Sequence, residues 1–235
     1  MNQEKTFPEV QAGGSGDNGG ATPRKQFVAF DFDGTVIDTN KLIVDSWQHT
    51  FLKFHGYRHS EQEIYGTFGE TLYDSMKDFF HEKADEAIAC YREYQKDSWR
   101  ESVRVFPGIT GLLQELENQG RTLLLVTSRL KPTTMEYLEH FDLKRFFKVV
   151  ITSNDTKAHK PDPEPVLMAL AKAGGRPEES VMVGDTRFDV GCANNAGAVS
   201  VLVNWSHPVD EKDFQPPEFR PDFRIGKPED LLRLI

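Results

Sequence analysis

Cysteine is nearly absent: the 235 residues contain two, Cys90 and Cys192. They form no C-x-x-C pair and no disulfide framework, which fits a reducing compartment. Long apolar runs are also missing, and no stretch approaches the roughly 20 residues of a membrane span. The opening MNQEKTFPEVQ has neither an apolar h-region nor an Arg-rich amphipathic pattern. The expected setting is therefore cytoplasmic, with no membrane partner. Positive charge is scarce, 28 Lys and Arg against 37 Asp and Glu, for a net charge of −9 and a pI near 5.3. That balance excludes nucleic acid as the main partner, because such surfaces reward clustered Lys and Arg. A small anionic substrate stays compatible wherever a local lysine, helix N-termini or a metal reverses the field.

What is present begins with glycine. Residues 1–25 carry AGGSGDNGGATP, too poor in apolar side chains to offset the entropy of ordering, so a flexible tail is expected. A phosphate-cradling loop is ruled out, since no strand precedes the glycines and no G-K-[ST] ends them.

The chain is organised around Phe27–Thr39, FVAFDFDGTVIDT. An apolar run delivers Asp31 and Asp33 and then breaks at Gly34-Thr35. Residues i and i+2 of a strand face the same side, so a strand continuing through this stretch would aim both carboxylates one way. Two like charges so close call for a cation between oxygens. An acidic turn around Asp-Gly is the plainer alternative.

After this strand, residues 40–104 read as helix throughout. Leu42, Ile43, Trp47, Phe51, Leu52 and Phe54 recur at helical spacing, and Ser60-Glu61-Gln62-Glu63 forms a capping box. Trp47 and Phe51 are expected to line the core of this helical insertion. From Val105 the pattern alternates: a helix at Ile109–Gln119, an apolar strand at Thr122–Val126, a helix from Pro132 to Phe141, and a strand at Val149–Ile151. A loop at Asn154–Pro165 carries HKPDPEP and leads into a helix through Ala173. Then come a strand at Ser180–Val183, a helix from Phe188 to Ala196 and a strand at Ala198–Val203. The chain is irregular beyond Asn204 until a short terminal helix at Pro228–Leu234. Strand–helix alternation predicts an α/β fold, a doubly wound, mainly parallel, Rossmann-like sheet in residues 26–39 and 105–235, interrupted by the helical insertion. In such sheets ligands bind at the carboxyl ends of strands. Standing there are Asp31 and Asp33, then Thr127 and Ser128, then Lys160 in its loop, then Asp185 with Asp189.

FDFDGTVIDT, TLLLVTSR, HKPDPEP and VMVGDTRFD resemble, in order and spacing, the four motifs of the haloacid dehalogenase-like superfamily of phosphohydrolases. A helical insertion after the first motif resembles the C1 cap of its phosphoglycolate phosphatase and pyrophosphatase branch. The resemblance implies that Asp31 is the nucleophile and forms an aspartyl-phosphate, while Asp33 is the general acid and then the base. It implies Mg2+ held by Asp31, Asp185 and the Asp33 carbonyl, with Asp189 holding a metal-bound water or orienting Lys160. Thr127 and the Ser128 N–H would fix phosphoryl oxygens, and Lys160 would offset charge.

The Ser128 side chain and Arg129 read as solvated or locally capping groups, and Thr186 as a helix cap or a site residue. His159 is given no role, and Cys192 reads as packing. The cap loop Tyr65–Glu70 dips toward the site in this branch, so Gly66 is a substrate-binding candidate beside the plainer reading of an interhelical turn. The expected substrate is a small phosphorylated metabolite, phosphoglycolate-like in preference. Inorganic pyrophosphatase, phosphomutase and a non-catalytic binding module are the alternatives. Dehalogenase activity is disfavoured, because that branch lacks an acid–base carboxylate at the position of Asp33. The expected assembly is a monomer or homodimer. Ile37–Asn40 and Arg104 are expected to hinge the cap.

Overall fold

A computed structural model describes residues 25–235; the tail expected at residues 1–25 lies outside them, except for Lys25. The six-stranded sheet has the order β5-β4-β1-β6-β7-β8. Its strands are β1 (Phe27–Phe30), β4 (Thr122–Val126), β5 (Phe147–Ile151), β6 (Ser180–Gly184), β7 (Val199–Val203) and β8 (Phe223–Ile225). Every neighbouring pair is parallel. The central strand β1 is buried on both faces, which is why it reads as a continuous apolar run rather than an alternating one. Its side chains still alternate: Val28 and Phe30 join one core with Leu112, Leu113 and Leu116 of α5 (Ile109–Asn118). Phe27 and Ala29 join the other, with Val166 and Leu170 of α7 (Glu164–Ala173) and Cys192 of α8 (Arg187–Ala196). The remaining core helix, α6 (Lys131–His140), places Tyr137 and Leu138 on the first face.

The insertion consists of α1 (Asn40–His55), α2 (Glu61–Tyr65), α3 (Leu72–Phe80) and α4 (Ala84–Ser102). It has its own core, in which Trp47 stacks on Phe51 with centroids 5.2 Å apart, beside Ile64, Met76 and Phe80. The capping box at Ser60 forms: its hydroxyl accepts from the Glu63 N–H, and the Glu63 carboxylate accepts from the Ser60 N–H.

Three details differ from the sequence reading. A two-stranded antiparallel ribbon, β2 (Ile37–Asp38) with β3 (Arg104–Val105), binds the outgoing and returning chain at the root of the cap. The edge strand β8 lies inside the segment read as irregular, and the terminal helix is a 3-10 turn at Pro228–Arg233. Strands of two or three residues are too short to show a period, so nothing in the local pattern marks them. Among the described residues no helix is long and apolar enough to cross a membrane.

Candidate active site

The strand β1 ends at Phe30, so Asp31 and Asp33 are not successive strand residues. Asp31 still continues the sheet's direction, its N–H donating to the Val183 carbonyl at 2.9 Å. Phe32, fully buried between them, packs into the core, and both carboxylates face one cavity of about 790 Å³ between core and cap. The chain then turns through Gly34 at φ +75°, where a Cβ would sit 2.0 Å from Asp185 Oδ2. Only glycine admits that turn and that approach together.

Lys160 arrives from the loop before α7, with its side chain 2% exposed. Its ammonium donates to Asp31 Oδ1 at 2.6 Å, Asp189 Oδ1 at 2.5 Å and the Val126 carbonyl at 3.4 Å, which uses all three of its N–H groups. Burial opposes its charge, but Asp189 and Asp31 outweigh burial and hold its pKa above the ordinary lysine range. Asp31 behaves oppositely. Burial lifts its carboxyl well above the usual range; Lys160 pulls it down, and Asp189, Asp185 and Asp33 push it further up.

Asp189 occupies the first turn of α8. Its second oxygen closes a capping box, accepting from the Thr186 N–H at 3.1 Å and hydroxyl at 2.7 Å. Thr186 is therefore a helix cap. Asp185, at the end of β6, accepts from the Thr35 hydroxyl at 3.3 Å and the Ser206 hydroxyl at 2.7 Å. His207 Nε2 lies 3.4 Å from it, and Asp185 outweighs burial to raise the pKa of that imidazole. Thr127 follows β4, its hydroxyl accepting from the Arg129 N–H at 3.1 Å.

Carboxylate oxygens of Asp31, Asp185 and Asp189 lie within 4.8 Å of one another, all three residues buried. Three carboxylates face one ammonium, so the cluster carries a formal negative excess that burial makes costly. An all-oxygen, anionic donor set of this kind fits a hard divalent cation such as Mg2+.

Asp33 has a cation of its own. Arg129 grips it with Nη2 at 2.7 Å from Oδ1 and Nε at 2.9 Å from Oδ2, and the Thr39 hydroxyl donates to Oδ1 at 2.8 Å. The Arg129 side chain is only 9% exposed, so the expectation of a solvated or capping group is corrected. Ser128 is corrected too. Its hydroxyl donates to the Gly69 carbonyl of the cap loop at 2.8 Å.

Gly66 lines a second cavity of about 550 Å³, shared with Tyr65, Phe68 and His207. Its neighbour in the same loop, Gly69, lines the large one. Sequence reasoning missed Arg129, Gly69, Ser206 and His207. The glycine pair of YGTFGE was a usable signal for Gly69; nothing in the irregular C-terminal segment marked Ser206 or His207.

Comparison with known proteins places the chain in a family. The pattern of haloacid dehalogenase-like hydrolases matches residues 28–203. Pyrophosphatase PpaX of Bacillus pumilus (strain SAFR-032) is 35% identical over 208 residues, covering 88% of this chain and 95% of the relative. Its namesake in Bacillus mycoides (strain KBAB4) is 33% identical with the same coverage. A haloacid dehalogenase-like family hydrolase from Streptococcus pneumoniae superposes with a TM-score of 0.76 at 25% identity, covering 89% of this chain and 97% of that one. With that pattern spanning residues 28–203 and relatives 33–35% identical over 88% of its length, the chain belongs to the haloacid dehalogenase-like hydrolase family.

Proposed function

We propose that this phosphohydrolase is a Mg2+-dependent phosphatase that cleaves a small phosphorylated metabolite, a phosphoglycolate-like monoester in preference, through an aspartyl-phosphate on Asp31. The observation that carries the reading is the contact of the Lys160 ammonium with both Asp31, at 2.6 Å, and Asp189, at 2.5 Å. A phosphate ester approaching a carboxylate meets repulsion of about 4 kcal/mol per charge pair at 4 Å and an effective dielectric near 20. Lys160 supplies fixed positive charge at that point, with no reorganisation needed during reaction.

In the first step an Asp31 oxygen attacks phosphorus, the bond to the leaving oxygen breaks, and Asp33 gives that oxygen a proton. In the second, Asp33 takes a proton from water as the water attacks the acyl phosphate, and Asp31 is released. The Thr127 hydroxyl and the Ser128 N–H orient phosphoryl oxygens. Asp31, Asp185 and the Asp33 carbonyl would hold Mg2+, which when bound would neutralise phosphoryl charge. Asp189 takes the Lys160 ammonium on one oxygen, at 2.5 Å, and the Thr186 cap on the other, which supports a role in orienting Lys160. Cap closure over the 790 Å³ cavity excludes bulk water. The reading goes with a cytoplasmic enzyme, monomer or homodimer.

A second reading, inorganic pyrophosphatase, is favoured by the curated relatives, both named as pyrophosphatases. Apolar and aromatic residues of the cavity wall, including Ile43, Phe68 and Leu72, favour an organic substrate instead. Parallel turnover of phosphoglycolate, pyrophosphate, sugar phosphates and an aryl phosphate separates the two. The expected intermediate appears as a phosphoryl mass added to the wild-type protein during turnover and not to Asp31→Asn. Absence of turnover on every ester and anhydride defeats the proposal.

A further inference from the structure

The guanidinium of Arg129 is bound within the protein through Nε and Nη2, both on Asp33. It lies over the Tyr137 ring at 4.5 Å, and Tyr137 in turn stacks on Trp99 with centroids 4.3 Å apart. Trp99 belongs to α4, the last cap helix, yet it is buried in the core of the sheet domain. On its other side Arg129 meets Asp33, whose Oδ1 also accepts from Thr39, the residue that opens α1. A continuous chain of contacts thus runs Trp99–Tyr137–Arg129–Asp33–Thr39, joining the two crossings between cap and core through one carboxylate.

The donors on that carboxylate are unequal. Oδ1 receives Nη2 at 2.7 Å, the Thr39 hydroxyl at 2.8 Å and Nε at 3.2 Å, whereas Oδ2 receives only Nε, at 2.9 Å. An oxygen with three donors has no lone pair left to exchange a proton, while Oδ2 keeps one. A planar guanidinium fork also fixes the plane of the carboxylate it grips, which an ammonium cannot do.

We propose that Arg129 is a positioning residue for the proton-transfer step: it saturates Asp33 Oδ1, presents Oδ2 to the reacting oxygens, and draws its own rigidity from the Tyr137–Trp99 stack at the root of the cap. This rests on the role given to Asp33 above. Proton donation matters most when the leaving oxygen is a poor leaving group, so the inference predicts a dependence on substrate chemistry that a structural role lacks. In Arg129→Ala, kcat/KM for an alkyl phosphate, which reports the step that expels the leaving group and not the shared hydrolysis of the aspartyl-phosphate, falls about a hundredfold, and kcat/KM for 4-nitrophenyl phosphate only severalfold; general acid catalysis is worth about 10²–10⁴. KM rises by less than about threefold for either ester. Arg129→Lys restores part of the loss, because it keeps the charge and loses the fork. Asp33→Asn shows the same leaving-group dependence, and Asp33→Asn with Arg129→Ala is no worse than Asp33→Asn alone, as groups serving one step are non-additive.

If Arg129→Ala is too unstable to assay, Arg129→Gln and Tyr137→Leu test the same contacts, and both are expected to show the alkyl-selective loss. Equal losses on both esters, or a rise in KM as the main effect, overturn the positioning role. An Asp33→Asn variant without leaving-group dependence would instead refute the acid–base assignment of Asp33. The two failures are thereby distinguishable.

Discussion

The hydroxyl of Ser128, on the loop after β4, donates to the carbonyl of Gly69, on the cap loop between α2 and α3, at 2.8 Å. The same core tripeptide therefore holds the cap loop through Ser128, the Asp33 carboxylate through Arg129 and, by the proposal above, phosphoryl oxygens through Thr127.

A neutral hydrogen bond of this kind contributes about 1 kcal/mol, or roughly a fivefold shift in a local opening equilibrium. Ser128→Ala should therefore speed amide hydrogen exchange at Phe68 and Glu70 about fivefold, while α5 amides on the far face of the sheet stay unchanged. Unaltered exchange in the cap loop would show that the contact does not restrain it.

The two glycines of that loop should respond in opposite ways. Gly69 has φ +89°, and a Cβ there would lie 2.5 Å from Thr186 Oγ1 and 2.8 Å from the Phe188 ring. Alanine would push the cap loop off the core, and kcat/KM should fall about tenfold, a loss of about 1.4 kcal/mol. Gly66 has φ −59° at the end of α2, and its Cβ would meet only the Glu63 and Gln62 carbonyls, the nearer at 3.2 Å. Gly66→Ala should leave kcat/KM within about twofold, since a substitution away from special contacts usually costs under 0.5 kcal/mol. Steady-state kinetics on both variants decide between the two positions as the substrate-facing glycine.

Much of this architecture is legible from local pattern because each strand is a short apolar run ended by a polar residue. Asp31, Thr127 and Asp185 could be located for that reason, and the family resemblance then ordered them. What stayed hidden depends on partners far away in sequence. Arg129 looks like any loop arginine until Asp33, 96 residues away, is placed beside it. Ser206 and His207 reach Asp185 from a segment with no periodicity. Trp99 falls within residues 40–104, read as the helical insertion, yet it is buried in the sheet core. Gly66 and Gly69 are equivalent by sequence and differ only in backbone conformation and in what stands opposite them.

The carboxylate cluster predicts a thermal signature of metal binding. A ligand at a hundred times its Kd stabilises the native state by about 2.7 kcal/mol, and a chain of this size gains about 2–4 °C per kcal/mol. Saturating Mg2+ should raise the melting temperature of chelator-treated protein by about 5–10 °C and restore its turnover. Asp185→Asn should lose most of that shift. A melting curve that ignores Mg2+ would count against the site.

Cys192 supplies a test that needs no substrate. Its thiol is fully buried and donates to the Asp162 carbonyl at 3.0 Å. Burial pushes its pKa up from 9.0 to about 12. The thiolate is the reactive form, so in a Cys90→Ala background the folded protein should resist a thiol-exchange reagent at pH 9, where an exposed cysteine reacts. Denaturant should release the full equivalent. The sign for stability follows from the same shift. Below pH 9 the thiol is protonated in folded and unfolded chains alike, and its contribution is fully present. Between pH 9 and about 12 only the unfolded chain gives up the proton, so this contribution is progressively lost. Cys192→Ala should therefore show a shallower fall in stability across that window than the protein retaining Cys192, measured by denaturant titration at matched ionic strength. Parallel slopes, or rapid reaction of Cys192 at pH 9 without denaturant, would mean that α8 opens to solvent in the native state.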